Sequence, residues 1–212
     1  MRAYFIKSQF QPQFELDDAT KLASIIDVKL IIGNVDALSG PDVAINTHDR
    51  CYFCKKAILS KLWELALADG ISVLCDGANA DDDETDRPGM RATHEQGVIS
   101  PLRDCGLTKA DVRKLSKEAG LFTHDKPSYA CLATRIPTGM AITEDMLKKV
   151  ENAENALFGM GFSNFRVRVV PPNTAKLQLP SSGWDLLPKH RDNVLEALKQ
   201  HFDDVVIDMA IR

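Results

Sequence analysis

The stretch AYFIKSQFQPQFELDDATKLASIIDVKLIIGNV, Ala3 to Val35, reads as strand, helix, strand. Ala3–Phe10 forms the first strand. Leu16, Ala19, Leu22, Ala23 and Ile26 then recur at helical spacing over about Phe14–Ile26. VKLIIGNV, Val28–Val35, is a β-rich run of the kind buried in a parallel sheet. The alternation continues downstream. CYFCKKAILSKLWELALADG, from Cys51, reads as a long amphipathic helix ending near Gly70, and Ile71–Cys75 as another apolar strand. Thr108 opens a further helix, with Asp111 at the capping-box position and a stop before Gly120. Strands alternating with helices predict βαβ units and a parallel sheet, with ligand sites at the carboxyl ends of the strands.

From Ile142 the pattern changes. TEDMLKKVENAENALFGMG is one helix, with Thr143 as N-cap and Gly159 or Gly161 near its end. The strands FRVRVV and AKLQLP follow, then a helix over about Pro188–Phe202 and a last strand, DVVIDMAI. This is an α+β order. Pro and Gly cluster between Pro137 and Ala141, so the expected domains are an α/β unit over 1–138 and a smaller α+β unit over 139–212.

A net charge of −4 argues against a dedicated nucleic-acid surface, which shows as basic excess. No apolar run reaches the roughly eighteen residues of a membrane span, and MRAYFIKSQFQPQ lacks a secretory signal, so the expected location is the cytoplasm. The cysteines stand at 51, 54, 75, 105 and 131. An odd number without a signal favours thiols over a disulfide framework. Cys75 and Cys105 read as packing residues.

Four segments carry chemistry. Asp76 ends a strand, with Gly77, Asn79, Asp81, Asp82 and Asp83 just beyond it and Arg87 and Arg91 further on. Carboxylates there suit Mg²⁺ or a ribose hydroxyl, or else serve a solvated loop with an Asx turn. Cys51 and Cys54 lie three apart at a helix start, a spacing used for metal or redox work. No second pair completes a zinc site, but with Cys131 they make a candidate set for an iron–sulfur cluster. In KPSYACLATRIPTG, Cys131 is either a packed thiol or a nucleophile with Arg135 beside it. Arg166 and Arg168 alternate along a strand and project from one face, which suits a phosphate or carboxylate, or equally a solvated strand face. Glu154, mid-helix, has a surface position as its plain reading.

Taken together, DRCYFCKKAIL, DGANADDDETDRPGMRATHEQGVISPL, GLTKADVRKLSKEAGL, DKPSYACLATRIPTG and RVRV resemble the LarE family, in family order from about Arg50 to Val170. These are ATP-dependent sacrificial sulfur transferases of the PP-loop pyrophosphatase superfamily. The resemblance implies a nucleotide α-hydrolase-like parallel sheet with a small C-terminal domain. It also implies Mg²⁺ and ATP as cofactors and a chemistry that adenylates a pyridinium carboxylate mononucleotide. A cysteine then gives up its own sulfur, for the nickel-pincer cofactor of lactate racemase. Carried over, Cys131 matches the sacrificial cysteine and Arg135 lies in its motif. Arg166 and Arg168 match the pair that holds the substrate phosphate. Glu154 falls near a substrate-site glutamate, and Asp76, Asn79 and Asp82 line the nucleotide side.

The superfamily's S-G-G-x-D-S loop does not occur in this sequence, and Ala3–Phe10 matches the family's second strand. The expectation is a chain that starts after that loop. The other accounts are a loop supplied by a partner chain, or a relative that only binds. A PP-loop tRNA thiolation enzyme using the C-x-x-C and a cluster is the alternative enzyme. The missing second cysteine after ACLATR weighs against a cluster. A homo-oligomer with contacts through the second domain is also expected, and the mononucleotide is the expected small-molecule partner.

Overall fold

The computed structural model describes residues 1–82 and 88–212. Its elements run β1 (Ala3–Lys7), α1 (Gln13–Ile25), β2 (Leu30–Asn34), α2 (Pro41–Ala44), α3 (Arg50–Ala68), α4 (Pro88–Glu95), α5 (Pro101–Asp104) and α6 (Lys109–Glu118). A 3₁₀ turn (Leu132–Arg135), α7 (Glu144–Gly159), β3 (Arg166–Val170), β4 (Thr174–Gln178), α8 (Ser181–Lys199) and β5 (Asp204–Ile207) complete the chain. It divides into two compact units, one of Met1–Ser8 with Gln13–Lys126, the other of Gln9–Pro12 with Pro127–Arg212. The stretch 127–138, which carries Cys131, thus falls in the second unit, ahead of the 138/139 boundary expected from Pro and Gly clustering.

In the first unit β1 and β2 pair in parallel from Ala3 opposite Leu30 to Lys7 opposite Asn34, joined by α1. Gly33 lets α3 close on this pair. A Cβ there would meet Ile6 Cδ1 and Leu65 Cδ1, each at 2.7 Å. β2 is less buried than its composition suggests. Gly33 alone of its residues is buried and Ile32 is 47% exposed, because only two described strands share this sheet. Leu59 and Ala66 bury one side of α3. Trp63 Nε1 donates to the Gln96 carbonyl at 2.9 Å, beyond the end of α4. The expected strand Ile71–Cys75 shrinks to one parallel bridge, Cys75 with Ile99, leaving Val73 exposed. Cys75 and Cys105 are exposed rather than packed. The Thr108 capping box of α6 is formed, both reciprocal bonds being present.

The second unit is a three-stranded sheet, β3–β4–β5, with β3 and β4 antiparallel and β4 and β5 parallel. Val167 and Val169 of β3 and Ala175 and Leu177 of β4 form its buried face. Leu147, Val150, Ala153 and Leu157 of α7, with Val194 and Leu198 of α8, are buried in the same unit. Thr143 caps α7, its hydroxyl oxygen accepting from Met146 N at 3.2 Å. α8 begins at Ser181, earlier than the Pro188 start expected from the sequence, and carries Pro188 inside it. No described helix is long and apolar enough to cross a membrane.

Candidate active site

Glu154 faces inward on α7, in line with Val150 and Leu157, and is 1% exposed. The sequence-level surface reading of this residue is wrong, because a buried carboxylate survives only when its oxygens are fully partnered, and these are. Arg135 grips it as a fork, Nε to Oε1 at 2.8 Å and Nη2 to Oε2 at 3.1 Å. Val167 N donates to Oε1 at 2.9 Å and the Tyr129 hydroxyl to Oε2 at 2.5 Å. The Arg135 guanidinium also lies over the Tyr129 ring, 4.5 Å from its centroid. Burial works to lower the Arg135 pKa. The hydrogen bonds and charge of Glu154 outweigh it, helped by Tyr129 and Cys131, so the group is held above its ordinary value. Burial, then the charge of Glu154, pushes the Tyr129 phenol well above its usual range.

The remaining nitrogen of Arg135 reaches the cysteine's turn. Nη1 donates to the Ala130 carbonyl at 3.0 Å and to the Thr134 hydroxyl at 2.9 Å. That hydroxyl in turn donates to the Cys131 carbonyl at 2.8 Å. Leu132 N donates to Phe10 O at 2.9 Å, and Leu132 and Ala133 are fully buried. Cys131 itself is half-buried, at the head of the turn with extended backbone angles. Its side chain is therefore presented from a backbone fixed on both flanks. Arg135 and Glu154, expected at the substrate, here hold each other and this turn.

Arg168 joins the same construction from the sheet. Its Nη1 donates to the Thr134 carbonyl at 2.8 Å and its Nε to Gln178 Oε1 at 2.6 Å. Gln178 Nε2 donates to Asp208 at 2.8 Å, and Lys176 pairs with the same carboxylate at 3.1 Å. These bonds, from Gln178 first, hold the Asp208 carboxyl down to about 2. Arg166 lies on the same face of β3, opposite Gln178. Its Nε is buried and finds no hydrogen-bond partner among the described residues. Burial, then the neighbouring charges of Arg212, Arg135 and Arg168, pushes Arg166 down to about 10. Arg168 and Arg212 are lowered too, by burial and then by Arg135. The face thus holds more positive charge than its own carboxylates neutralise, an arrangement that favours an anion.

In the first unit, Asp76, Asn79 and Asp82 spend oxygens on their own loop. Asp76 Oδ1 accepts from Ala78 N at 3.1 Å and the Ser100 hydroxyl at 2.7 Å. Asn79 Oδ1 accepts from Asp81 N at 3.0 Å, and Asp82 Oδ2 from Asn79 N at 3.0 Å. Arg103 binds the Asn79 and Asp82 carbonyls at 3.4 and 3.1 Å. Asp83 and Arg87 lie outside the described residues. Cys51 is exposed and Cys54 half-buried, and Arg50 Nη2 donates to the Cys51 sulfur at 3.3 Å. Among the described residues no three His, Cys, Asp or Glu side chains gather into a metal set. The sequence did not point to Tyr129, Gln178, Asp208 or Arg212. The β3–β4 pairing, which sets Gln178 across from Arg166, would have signalled Gln178.

No family model matches the chain. It is 33% identical to the pyridinium-3,5-bisthiocarboxylic acid mononucleotide synthase of Lactiplantibacillus plantarum, over 79% of this chain and 60% of that one. It is 38% identical to an uncharacterized protein of Synechocystis, over 78% and 62% of the two chains. With an uncharacterized protein of Methanocaldococcus jannaschii it shares 32% identity over 98% of its own length and 79% of the relative's. Against the first two, the chain spans about three fifths of the relatives' length. Fold and site define an α/β protein with a separate, arginine-faced cysteine unit. The chain belongs to one family with the Methanocaldococcus jannaschii protein and is similar, over most of its own length, to the Lactiplantibacillus plantarum synthase.

Proposed function

We propose that the chain is the cysteine-bearing part of an ATP-dependent sulfur transferase with a PP-loop type nucleotide unit, acting on a pyridinium carboxylate mononucleotide in nickel-pincer cofactor synthesis. ATP converts the carboxylate to an acyl-adenylate and releases pyrophosphate. Mg²⁺ would come with the nucleotide, held mainly through its phosphates. The Cys131 thiolate attacks the acyl carbon, a C–S bond forms, and AMP leaves with the electron pair of the broken C–O bond. A base then takes the Cα proton of residue 131. The Cβ–S pair stays on sulfur, giving a thiocarboxylate product and dehydroalanine in the chain.

The observation that carries this reading is the presentation of Cys131. Arg135 and Arg168 bind the backbone on either side of a half-exposed thiol, and the same unit carries an arginine face suited to a phosphate. Rigid backbone with a clamped phosphate holds the acyl carbon within attack distance. The synthase named among the relatives supports the same substrate class.

The test supplies the acyl-adenylate ready-made, so that the cysteine step is read by itself. Each cysteine is replaced by serine in turn, and thiocarboxylate is quantified by mass spectrometry. Product is expected from the Cys51, Cys54, Cys75 and Cys105 variants and from none carrying Cys131→Ser. Thiocarboxylate from Cys131→Ser would overturn the proposal.

A further inference from the structure

Loss of the Cα proton of residue 131 leaves an electron pair that the adjoining carbonyl must carry. The Cys131 carbonyl oxygen is therefore the atom on which charge develops during sulfur release, and donors aimed at it would lower that barrier. Two donors meet it. Thr134 N donates at 3.0 Å across the 3₁₀ turn, and the Thr134 hydroxyl donates at 2.8 Å. A threonine hydroxyl bonded to the carbonyl three residues back is common in turns. Two features set this one apart. The carbonyl belongs to the residue whose Cα–H and Cβ–S bonds break. The hydroxyl also accepts from Arg135 Nη1 at 2.9 Å, so a cation stands behind it and its own proton is turned towards Cys131 O. The relay is fixed in advance. Glu154 holds Arg135 through Nε and Nη2, the Ala130 carbonyl shares Nη1, and Arg168 Nη1 fixes the Thr134 carbonyl at 2.8 Å. Donors held in this way need no reorganisation when charge appears.

We propose that the backbone N–H and hydroxyl of Thr134 form an oxyanion hole for the carbonyl of Cys131 itself, stabilising the enolate through which the cysteine loses its sulfur. This rests on the sulfur-transfer reading above. Once Cys131 is S-acylated, a base takes its Cα proton, and hydroxide suffices as that base. The C–H electron pair moves onto the carbonyl oxygen, where the two Thr134 donors hold it. It then returns to make the Cα–Cβ double bond while the Cβ–S pair leaves on the thiocarboxylate. One proton has gone to the base and one negative charge to the product, and dehydroalanine remains neutral. Thr134 thus acts on the elimination and not on the acylation before it. Arg135, which reaches the carbonyl only through the hydroxyl, is a positioning residue.

Single-turnover mass spectrometry of the full chain with ready-made acyl-adenylate separates the two steps, since S-acyl Cys131 appears and then becomes dehydroalanine. Thr134→Val keeps the branched shape and removes the hydroxyl. It should acylate at the wild-type rate, and its S-acyl form should then decay about a hundredfold more slowly and accumulate. Thr134→Ser, which keeps the donor, should restore the decay. A second measurement needs no nucleotide. Cys131 is arylated with dinitrofluorobenzene in chains whose Cys51, Cys54, Cys75 and Cys105 are replaced by serine, and release of the coloured dinitrothiophenolate in mildly alkaline buffer is timed. Release should be slow in Thr134→Val, fast with threonine or serine at 134, and equal in all of them in denaturing urea. Equal rates for folded wild type and Thr134→Val in either measurement overturn the proposal and leave sulfur transfer standing. A wild type that forms no S-acyl Cys131 takes down the sulfur-transfer reading and this proposal with it. Circular dichroism on each variant separates a lost donor from a lost fold.

Discussion

Glu154→Gln keeps the shape of the side chain and removes its charge, leaving Arg135 buried without a counter-ion. Both side chains are 1% exposed, so water offers the orphaned guanidinium nothing. Breaking a buried pair from one side costs about 3–5 kcal/mol. The amide nitrogen adds a donor where Arg135, Tyr129 and Val167 N already donate, which works in the same direction. A native domain is stable by about 5–15 kcal/mol, so about a fifth or more of the total is at stake. At a urea m-value of about 2 kcal/mol/M the midpoint should fall by about 1.5–2.5 M. Equilibrium urea unfolding reads this, with Trp184 reporting the second unit and Trp63 the first. The drop belongs to the Trp184 signal. Arg135→Met should cost a similar amount, and the double variant less than the two singles summed. A loss under about 1 kcal/mol in Glu154→Gln, or strict additivity in the double variant, refutes the buried-pair account.

Three further outcomes follow from other parts of the molecule. Gly33→Ala drives a methyl into Ile6 and Leu65, each 2.7 Å away, and should cost about 1–3 kcal/mol by thermal unfolding, read on Trp63. Asp208 is lowered from 3.8 to about 2, so the stability it supplies is present above the unfolded value and is lost as pH falls through the folded one. The gap in stability between wild type and Asp208→Asn should therefore be steady above about pH 5 and close towards pH 2. Arg166 is depressed to about 10, so below that pH the fold carries a charge it disfavours. Inorganic phosphate should raise the wild-type melting temperature. Arg166→Gln should remove that response while gaining about 1 kcal/mol or less without phosphate, as expected for a partly exposed group.

The elements written in local signals were the ones legible in the sequence. Helical spacing and a following β-rich run predict β1–α1–β2, the Thr108–Asp111 box predicts α6, and Thr143 predicts the start of α7. Alternation along RVRVV separates an arginine face from a valine face, and the burial of β3 follows it. Elements that depend on distant chain were not legible. Ile71–Cys75 has the composition of a strand, but a strand exists only where a neighbour pairs with it, and the one such pairing runs through Cys75 to Ile99. Pro188 reads locally as a helix start, yet α8 already has a turn and more before it. Glu154 reads as surface because the residues that partner it lie 19 and 25 positions back and on a strand still to come. The same holds for Arg212, whose anchors are Leu179 and Asn164.

The central claim is that the sulfur of Cys131 leaves the protein. Peptide mass spectrometry of the chain after one turnover with the acyl-adenylate tests it most directly. The account predicts a loss of about 34 Da, the mass of hydrogen sulfide, at residue 131 alone, in one-to-one ratio with thiocarboxylate formed. Product formed with Cys131 intact would contradict it.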